Sequence, residues 1–141
     1  MGKSLEYERF FLKEYTHWVL FLHQNQCYLG RIYLLAKRHN ALDFFLMTEE
    51  EKSELFLLGK VVTKALSNLF QPDIFNVASL GNIFNHLHVH IIPRYKESRY
   101  FEGMQFTDNR WGKNYSPYDY NFKTPDHILK NIHQALLNVM L

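Results

Sequence analysis

The stretch His86-Leu87-His88-Val89-His90-Ile91-Ile92-Pro93-Arg94 decides how the rest of the chain is read. Side chains of a strand alternate between its two faces. A strand over 86–92 therefore sets His86, His88 and His90 on one face and Leu87, Val89 and Ile91 on the other. At about 3.3 Å per residue, successive imidazoles stand roughly 6.6 Å apart. The apolar row is core material. Three imidazoles in a row are not, because each needs hydrogen-bond partners and the set repels itself when protonated. Titratable groups clustered in this way mark a site. Two chemistries fit it. Imidazole ligates zinc, copper or iron, although this segment supplies no carboxylate to complete a set. Imidazole is also a nucleophile when neutral and a good leaving group when protonated.

Working outward, Pro93 closes this strand and the turn Ser79-Leu80-Gly81-Asn82 precedes it. Ile74–Ala78 reads as the neighbouring strand. Before it lies the clearest helix. Thr48 and Glu51 form a capping box, Glu49 and Glu50 suit the positive end of the helix dipole, and Leu55, Leu58, Val62, Leu66 and Leu69 recur at helical spacing. Gln71-Pro72-Asp73 stops it. Further upstream, 17–23 and 29–35 read as two strands joined through Gln24-Asn25-Gln26, an antiparallel hairpin. Residues 4–14 read as a short helix. Downstream, 95–123 lacks a period and reads as a long loop with room for one short strand. A last helix starts with Thr124 as N-cap and Pro125 at its first position, and carries Ile128, Leu129, Ile132, Ala135, Leu136 and Val139 as its stripe. The order is strand, strand, helix, strand, strand, helix. Short links between neighbouring strands make this an α+β fold, a mostly antiparallel sheet with helices on one side.

The whole chain, 141 residues, reads as a single domain (1–141), with a core over about 17–95 and a C-terminal loop and helix over 96–141. It is 47% hydrophobic and 16% aromatic, which excludes a disordered chain. With 16 Lys+Arg against 14 Asp+Glu the net charge is only +2, which fits no polyanion-coating protein and argues against a nucleic-acid polymer as partner. Cys27 is the only cysteine, so neither an intrachain disulfide nor a cysteine zinc site forms. Trp18 to Leu22 is far too short to span a bilayer, and the polar start shows no signal-peptide pattern. The expectation is a cytoplasmic protein that is not bound to a membrane. Of eight histidines, His17, His39, His127 and His133 stand alone and read as structural or exposed. Lys37-Arg38 reads as a solvated loop, and Trp111 as a packed loop aromatic.

The segment 86–92, His-φ-His-φ-His-φ-φ with φ apolar, resembles the signature of the histidine triad (HIT) superfamily of nucleotide hydrolases and transferases. Pro93-Arg94, Lys37-Arg38-His39 after the second strand, the long capped helix, Phe75-Asn76-Val77 and Gly81-Asn82 agree with it. The similarity covers about 17–95. Asp108-Asn109-Arg110-Trp111-Gly112-Lys113 resembles the tail of a bacterial branch, with weaker specificity. The resemblance implies that His88 is the nucleophile, attacking the α-phosphorus of a nucleoside phosphate derivative to form a nucleotidyl-histidine that water releases. It implies that the flanking His86 and His90 contact phosphate oxygens and orient the nucleophile. Backbone amides near Gly81, Asn76 and Asn82 would contact phosphate, and His23 or Asn25 would contact ribose.

No cofactor and no metal is implied, and a homodimer is. The chain departs from the family at Ile83, where a Ser or Thr donor is frequent, and at Ala36, where Pro is frequent. Ile83 puts phosphoramidate cleavage in question. The alternatives are a nucleotide-binding module without turnover, and a metal-dependent hydrolase using the three histidines as ligands. The leaving-group pocket is assigned to 95–123.

Overall fold

The computed structural model describes residues 9–82 and 85–140. Its strands are β1 (Phe11–Glu14), β2 (Trp18–Leu22), β3 (Ile32–Ala36), β4 (Ile74–Ala78), β5 (His88–Arg94), β6 (Arg99–Phe101) and β7 (Met104–Phe106). The helices are α1 (Glu49–Phe70) and α2 (Asp126–Met140), with a short 3-10 turn at Phe44–Leu46. β1 to β5 form one antiparallel sheet in the order β1-β2-β3-β5-β4, and β6-β7 a separate hairpin. The fold is α+β, as the sequence led us to expect.

Register assigns each side chain to a face. Leu20 pairs with Leu34 and Leu34 with Val89, a row turned toward the helices. Trp18 lies on the same face, and its indole N–H donates to the Glu51 carbonyl of α1 at 3.0 Å. Phe21 pairs with Tyr33 and Tyr33 with His90, a row on the opposite face. Residues from both helices and from the inner strands share one apolar cluster, including Trp18, Leu20, Leu34, Val62, Leu66, Val89, Ile132 and Leu136. Burying each such side chain contributes roughly 1.5–3 kcal/mol, and no ligand is needed to explain them.

α1 begins as read: Thr48 Oγ1 accepts from Glu51 N at 3.1 Å, and Glu51 Oε1 accepts from Thr48 N at 2.8 Å. It ends at Gln71, whose φ of 48° breaks the helix while its N–H still reaches Ser67 O. Gly30 shows why a glycine precedes β3. Its φ is +88°, and a Cβ there would meet Leu66 Cδ2 at 2.8 Å, so the chain can pass this close to α1 only without a side chain.

Several local expectations change. Of the helix expected over 4–14, residues 4–8 lie outside the described residues and Arg9-Phe10 is helical, but Phe11–Glu14 is an edge strand, and a register shift between Phe11 and Lys13 hides its alternation. His86 lies ahead of β5, not inside it. β5 runs on through Pro93 to Arg94, because pairing with β3 has ended at Ile32↔Ile91 and no partner needs the missing N–H. Thr124 does not cap α2: its hydroxyl is buried without a partner among the described residues, and the Pro125 carbonyl accepts the first helical bonds from Ile128 and Leu129 at 3.0 Å. The stripe of α2 buries Ile128, Leu129, Ile132 and Leu136, whereas Val139 is exposed. Within 95–123 the chain forms the β6-β7 hairpin. Among the described residues no helix is long and apolar enough to cross a membrane.

Candidate functional site

The face of the sheet away from the helices carries the triad. β5 presents His88 and His90 there, half-buried, opposite Leu35 and Tyr33. Their rings meet edge to face with centroids 5.0 Å apart. His86 reaches the same place from the chain just ahead of the strand, and its Nε2 donates to the Ala36 carbonyl at 2.7 Å. This anchors the 86 peptide, whose own carbonyl contacts His88 Nδ1 at 2.7 Å. A carbonyl can only accept, so Nδ1 carries the proton and the neutral ring has its lone pair on Nε2. Ser79, which sequence reasoning passed over, donates its hydroxyl to the His88 carbonyl at 2.9 Å and fixes the strand at this point. The result is a nucleophilic nitrogen on a rigid strand, with the opposite nitrogen pinned.

Burial, then the charge of Arg31 and then His88, lower the pKa of His90 to about 3. This imidazole is neutral at physiological pH, and its buried Nδ1 has no partner among the described residues. His23 lies 5.7 Å from His90 between ring centroids. Burial, Arg31 and His90 lower its pKa to about 3 as well, against a small opposing pull from Asn25. Asn25 N donates to His23 Nδ1 at 3.0 Å, which leaves the His23 proton on Nε2. Phe21 stacks on Tyr33 at 5.1 Å, and Tyr33 adjoins both His23 and His90. A floor of aromatic rings therefore extends from the triad across β3 and β2.

The other expected residues are placed as follows. Asn25 is buried, its amide donates to Asp119 O at 2.9 Å, and its carbonyl oxygen accepts from Cys27 N at 3.0 Å. Its carbonyl oxygen is taken up by its own turn and its amide by the distant loop at Asp119. Asn76 lies on β4, and its Oδ1 accepts from Arg94 Nη1 at 2.8 Å. It borders a cleft of about 970 Å³ between β4 and residues 111–116, which Trp111 also lines. Asn82 is exposed beside Gly81, at the edge of the described chain, and Ile83 lies outside the described residues. The structure thus brings His86, His88, His90 and His23 together, with Asn25 behind His23, and sets Asn76 apart at the far side of β5.

Arg94 explains the Asp108-to-Lys113 stretch. Its guanidinium makes a bidentate pair with Asp108 at 2.7 and 3.1 Å, and donates to the carbonyls of Lys113 and Arg110. The segment after β7 is thereby tied across the sheet. Lys37-Arg38 is not a free loop either: Lys37 pairs with Glu14 at 2.6 Å and Arg38 with the buried Glu51 at 3.0 Å. Sequence reasoning also passed over Arg31. It continues the row of Leu35 and Tyr33 on the triad face, and a charged residue inside an apolar strand pattern was the available signal. No group of three or more His, Cys, Asp or Glu that could hold a metal ion occurs among the described residues.

With this geometry in view, known proteins can be set beside it. No curated protein matches the chain. Among solved structures, a histidine triad protein from Bradyrhizobium japonicum superposes with a TM-score of 0.77 at 18% identity, covering 99% of this chain and 98% of that one. A histidine triad (HIT) protein from Sinorhizobium meliloti gives 0.76 at 17% identity, over 97% and 95%. The diadenosine triphosphate hydrolase of Plasmodium falciparum gives 0.63 at 17% identity, over 93% and 76%. At these identities the likeness shows the fold. The family model described as the HIT domain matches residues 4–97, a span that contains all five strands of the main sheet and the triad itself, and on that match this chain belongs to the HIT family.

Proposed function

We propose that this chain is a nucleotide hydrolase or nucleotidyl transferase in which His88 attacks the α-phosphorus of a nucleoside phosphate derivative. The observation that carries the reading is the hydrogen bond from His88 Nδ1 to the His86 carbonyl, 2.7 Å long, which aims the lone pair of Nε2 outward from the strand. In the first step Nε2 forms a bond to phosphorus, the bond to the leaving group breaks, and the departing group takes up a proton from solvent. The His88 ring is then cationic, and the carbonyl of His86 stabilises the Nδ1–H more strongly as that charge grows. In the second step water adds to phosphorus and gives up a proton to solvent, the N–P bond breaks with its electron pair returning to Nε2, and the nucleoside monophosphate leaves.

His90, neutral, donates to a phosphate oxygen without repelling His88. His86 acts as a positioning residue through its bond to Ala36. The diadenosine triphosphate hydrolase among the structural neighbours supports this substrate class. We take the chain as one HIT domain in a reducing compartment such as the cytoplasm. We also propose a homodimer, on the grounds that Phe45, Leu46, Phe56 and Leu57 stand between 62% and 87% exposed.

The decisive experiment is mass spectrometry after brief reaction with a dinucleoside polyphosphate. A nucleotidyl adduct is expected on His88 and is absent in His88→Ala, whose turnover falls by about a thousandfold or more. An adduct on a lysine overturns the mechanism. Nucleotide binding without turnover across a substrate panel would favour a binding module instead. A light-scattering mass of one chain at micromolar concentration overturns the dimer.

A further inference from the structure

Two arginines are buried on the triad face of the sheet, each 2% exposed. Arg94 has a carboxylate, an amide oxygen and two carbonyls around its guanidinium. Arg31 has none of these. Its Nε and Nη1 are buried without a hydrogen-bond partner among the described residues. Tyr118 and Tyr115 lie against its guanidinium at 4.7 and 5.4 Å, but ring faces do not accept its in-plane N–H groups. The backbone of Arg31 is fully held: its N–H donates to Tyr28 O, and its carbonyl accepts from His23 N and Gln26 Nε2. The backbone is fixed and the tyrosine faces offset part of the charge, but Nε and Nη1 have no acceptor among the described residues.

A buried charge without a counter-ion is strongly unfavourable, so a cation kept in this state is poised for an anion. The surroundings point the same way. Arg31 follows Tyr33 on the site face and stands beside His23 across the β2-β3 turn. His90, paired with Tyr33 on the next strand, has the orphaned Nδ1. His23 and His90 are partly exposed on the triad side, whereas Arg31 Nε and Nη1 and His90 Nδ1 are shielded from solvent.

We propose that Arg31, with His90 and His23, forms a receptor for a second phosphoryl group of the substrate, distinct from the one His88 attacks. A carboxylate offers two oxygens; a terminal phosphoryl group offers three, enough to meet the guanidinium fork and the Nε2–H of His23 together. Two kinds of substrate carry such a group: a nucleotide with a longer 5′-phosphate chain, and a nucleotide phosphorylated on its ribose. The inference rests on the proposed nucleotide chemistry, and its test separates the two.

Calorimetric titration of the full chain with AMP, ADP and adenosine 3′,5′-bisphosphate at fixed ionic strength reads it. One of the doubly phosphorylated ligands is expected to bind about tenfold or more tightly than AMP. Which one gains identifies where the second group sits. In Arg31→Met the gain disappears, and Arg31→Lys keeps part of it. A wild-type protein without the gain, or a gain that persists in Arg31→Met, overturns the proposal. Should Arg31→Met fail to fold, imidazole NMR of the wild type with inorganic phosphate decides. The His90 and His23 resonances are expected to move on phosphate addition, and unmoved resonances overturn the receptor. Loss of the His88 adduct with the phosphate response intact would instead count against the nucleotide chemistry alone.

Discussion

Replacing Arg94 by Met isolates the ion pair that ties the segment after β7 to the sheet. The Arg94 side chain is 3% exposed and that of Asp108 0%. The substitution removes two charged hydrogen bonds to Asp108 and strands the oxygens of Asn76, Lys113 and Arg110. Breaking a buried pair from one side costs about 3–5 kcal/mol, because the remaining charge stays buried. Asp108 keeps two backbone donors, Tyr95 N at 3.1 Å and Arg110 N at 3.0 Å, so the lower end, about 3 kcal/mol, applies. With a urea slope of about 1.5 kcal/mol/M, the unfolding midpoint should fall by about 2 M. Arg94→Met/Asp108→Leu should recover part of this loss, since no carboxylate is stranded. A midpoint lowered by less than about 0.5 M in the single variant would refute the assignment of Arg94 as a structural anchor.

Gly30→Ala should destabilise by about 1–3 kcal/mol in the same assay, because the new Cβ meets Leu66 and the φ is positive. Gly59→Ala, in the interior of α1 with nothing within 4 Å, should stabilise by about 0.5–1 kcal/mol. Thr48→Ala should cost about 1 kcal/mol through loss of the cap. Burial pushes the Glu51 carboxyl up, but Arg38 and Thr48 together hold it below its ordinary value of 4.5. Its contribution is therefore complete above the unfolded pKa and is lost as pH falls through the folded one. Glu51→Gln should flatten that acid decline in a plot of Tm against pH, and an unchanged slope counts against it. Arg31→Met should raise the His90 and His23 titrations from about 3 while burial keeps them below 6.5, a result readable by imidazole NMR.

How far the sequence reveals this protein depends on the range of the cause. The triad was legible because a period of two is set by the strand itself, and α1 because Thr48 and Glu51 cap each other across one turn. β1 was not. Phe11 and Leu12 are adjacent, a bulge breaks the alternation, and the pairing partner lies across a turn. The exit of His86 from β5 depends on Ala36, fifty positions away, whose carbonyl captures the imidazole. The Asp108 stretch carried a recognisable pattern but no reason for it, since Arg94 had first to be placed. The family resemblance implies Asn25 and Asn76 as ligand contacts. The turn at 25 and the guanidinium at 94 occupy polar atoms of both, which only the assembled sheet makes visible.

The electrostatics of the triad face suggest how ligand and protons are linked there. Were His23 and His90 charged, they and Arg31 would place three cations within one buried cluster. Burial and the field of Arg31 prevent this by keeping both imidazoles neutral, with pKa values near 3. The empty receptor therefore carries one positive charge and not three. A phosphoryl anion placed between them reverses the balance: it offsets Arg31 and favours protonated imidazole. Both pKa values then rise toward the ordinary 6.5, and binding takes up protons from solution at acid pH. Titration at about pH 5 with the doubly phosphorylated ligand that gains affinity, in two buffers of different ionisation enthalpy, reads that uptake directly. The apparent binding enthalpy should differ between the buffers in wild type and agree in Arg31→Met. Equal enthalpies in wild type would mean that the anion does not reach the imidazoles, and that Arg31 is held neutralised from some other side.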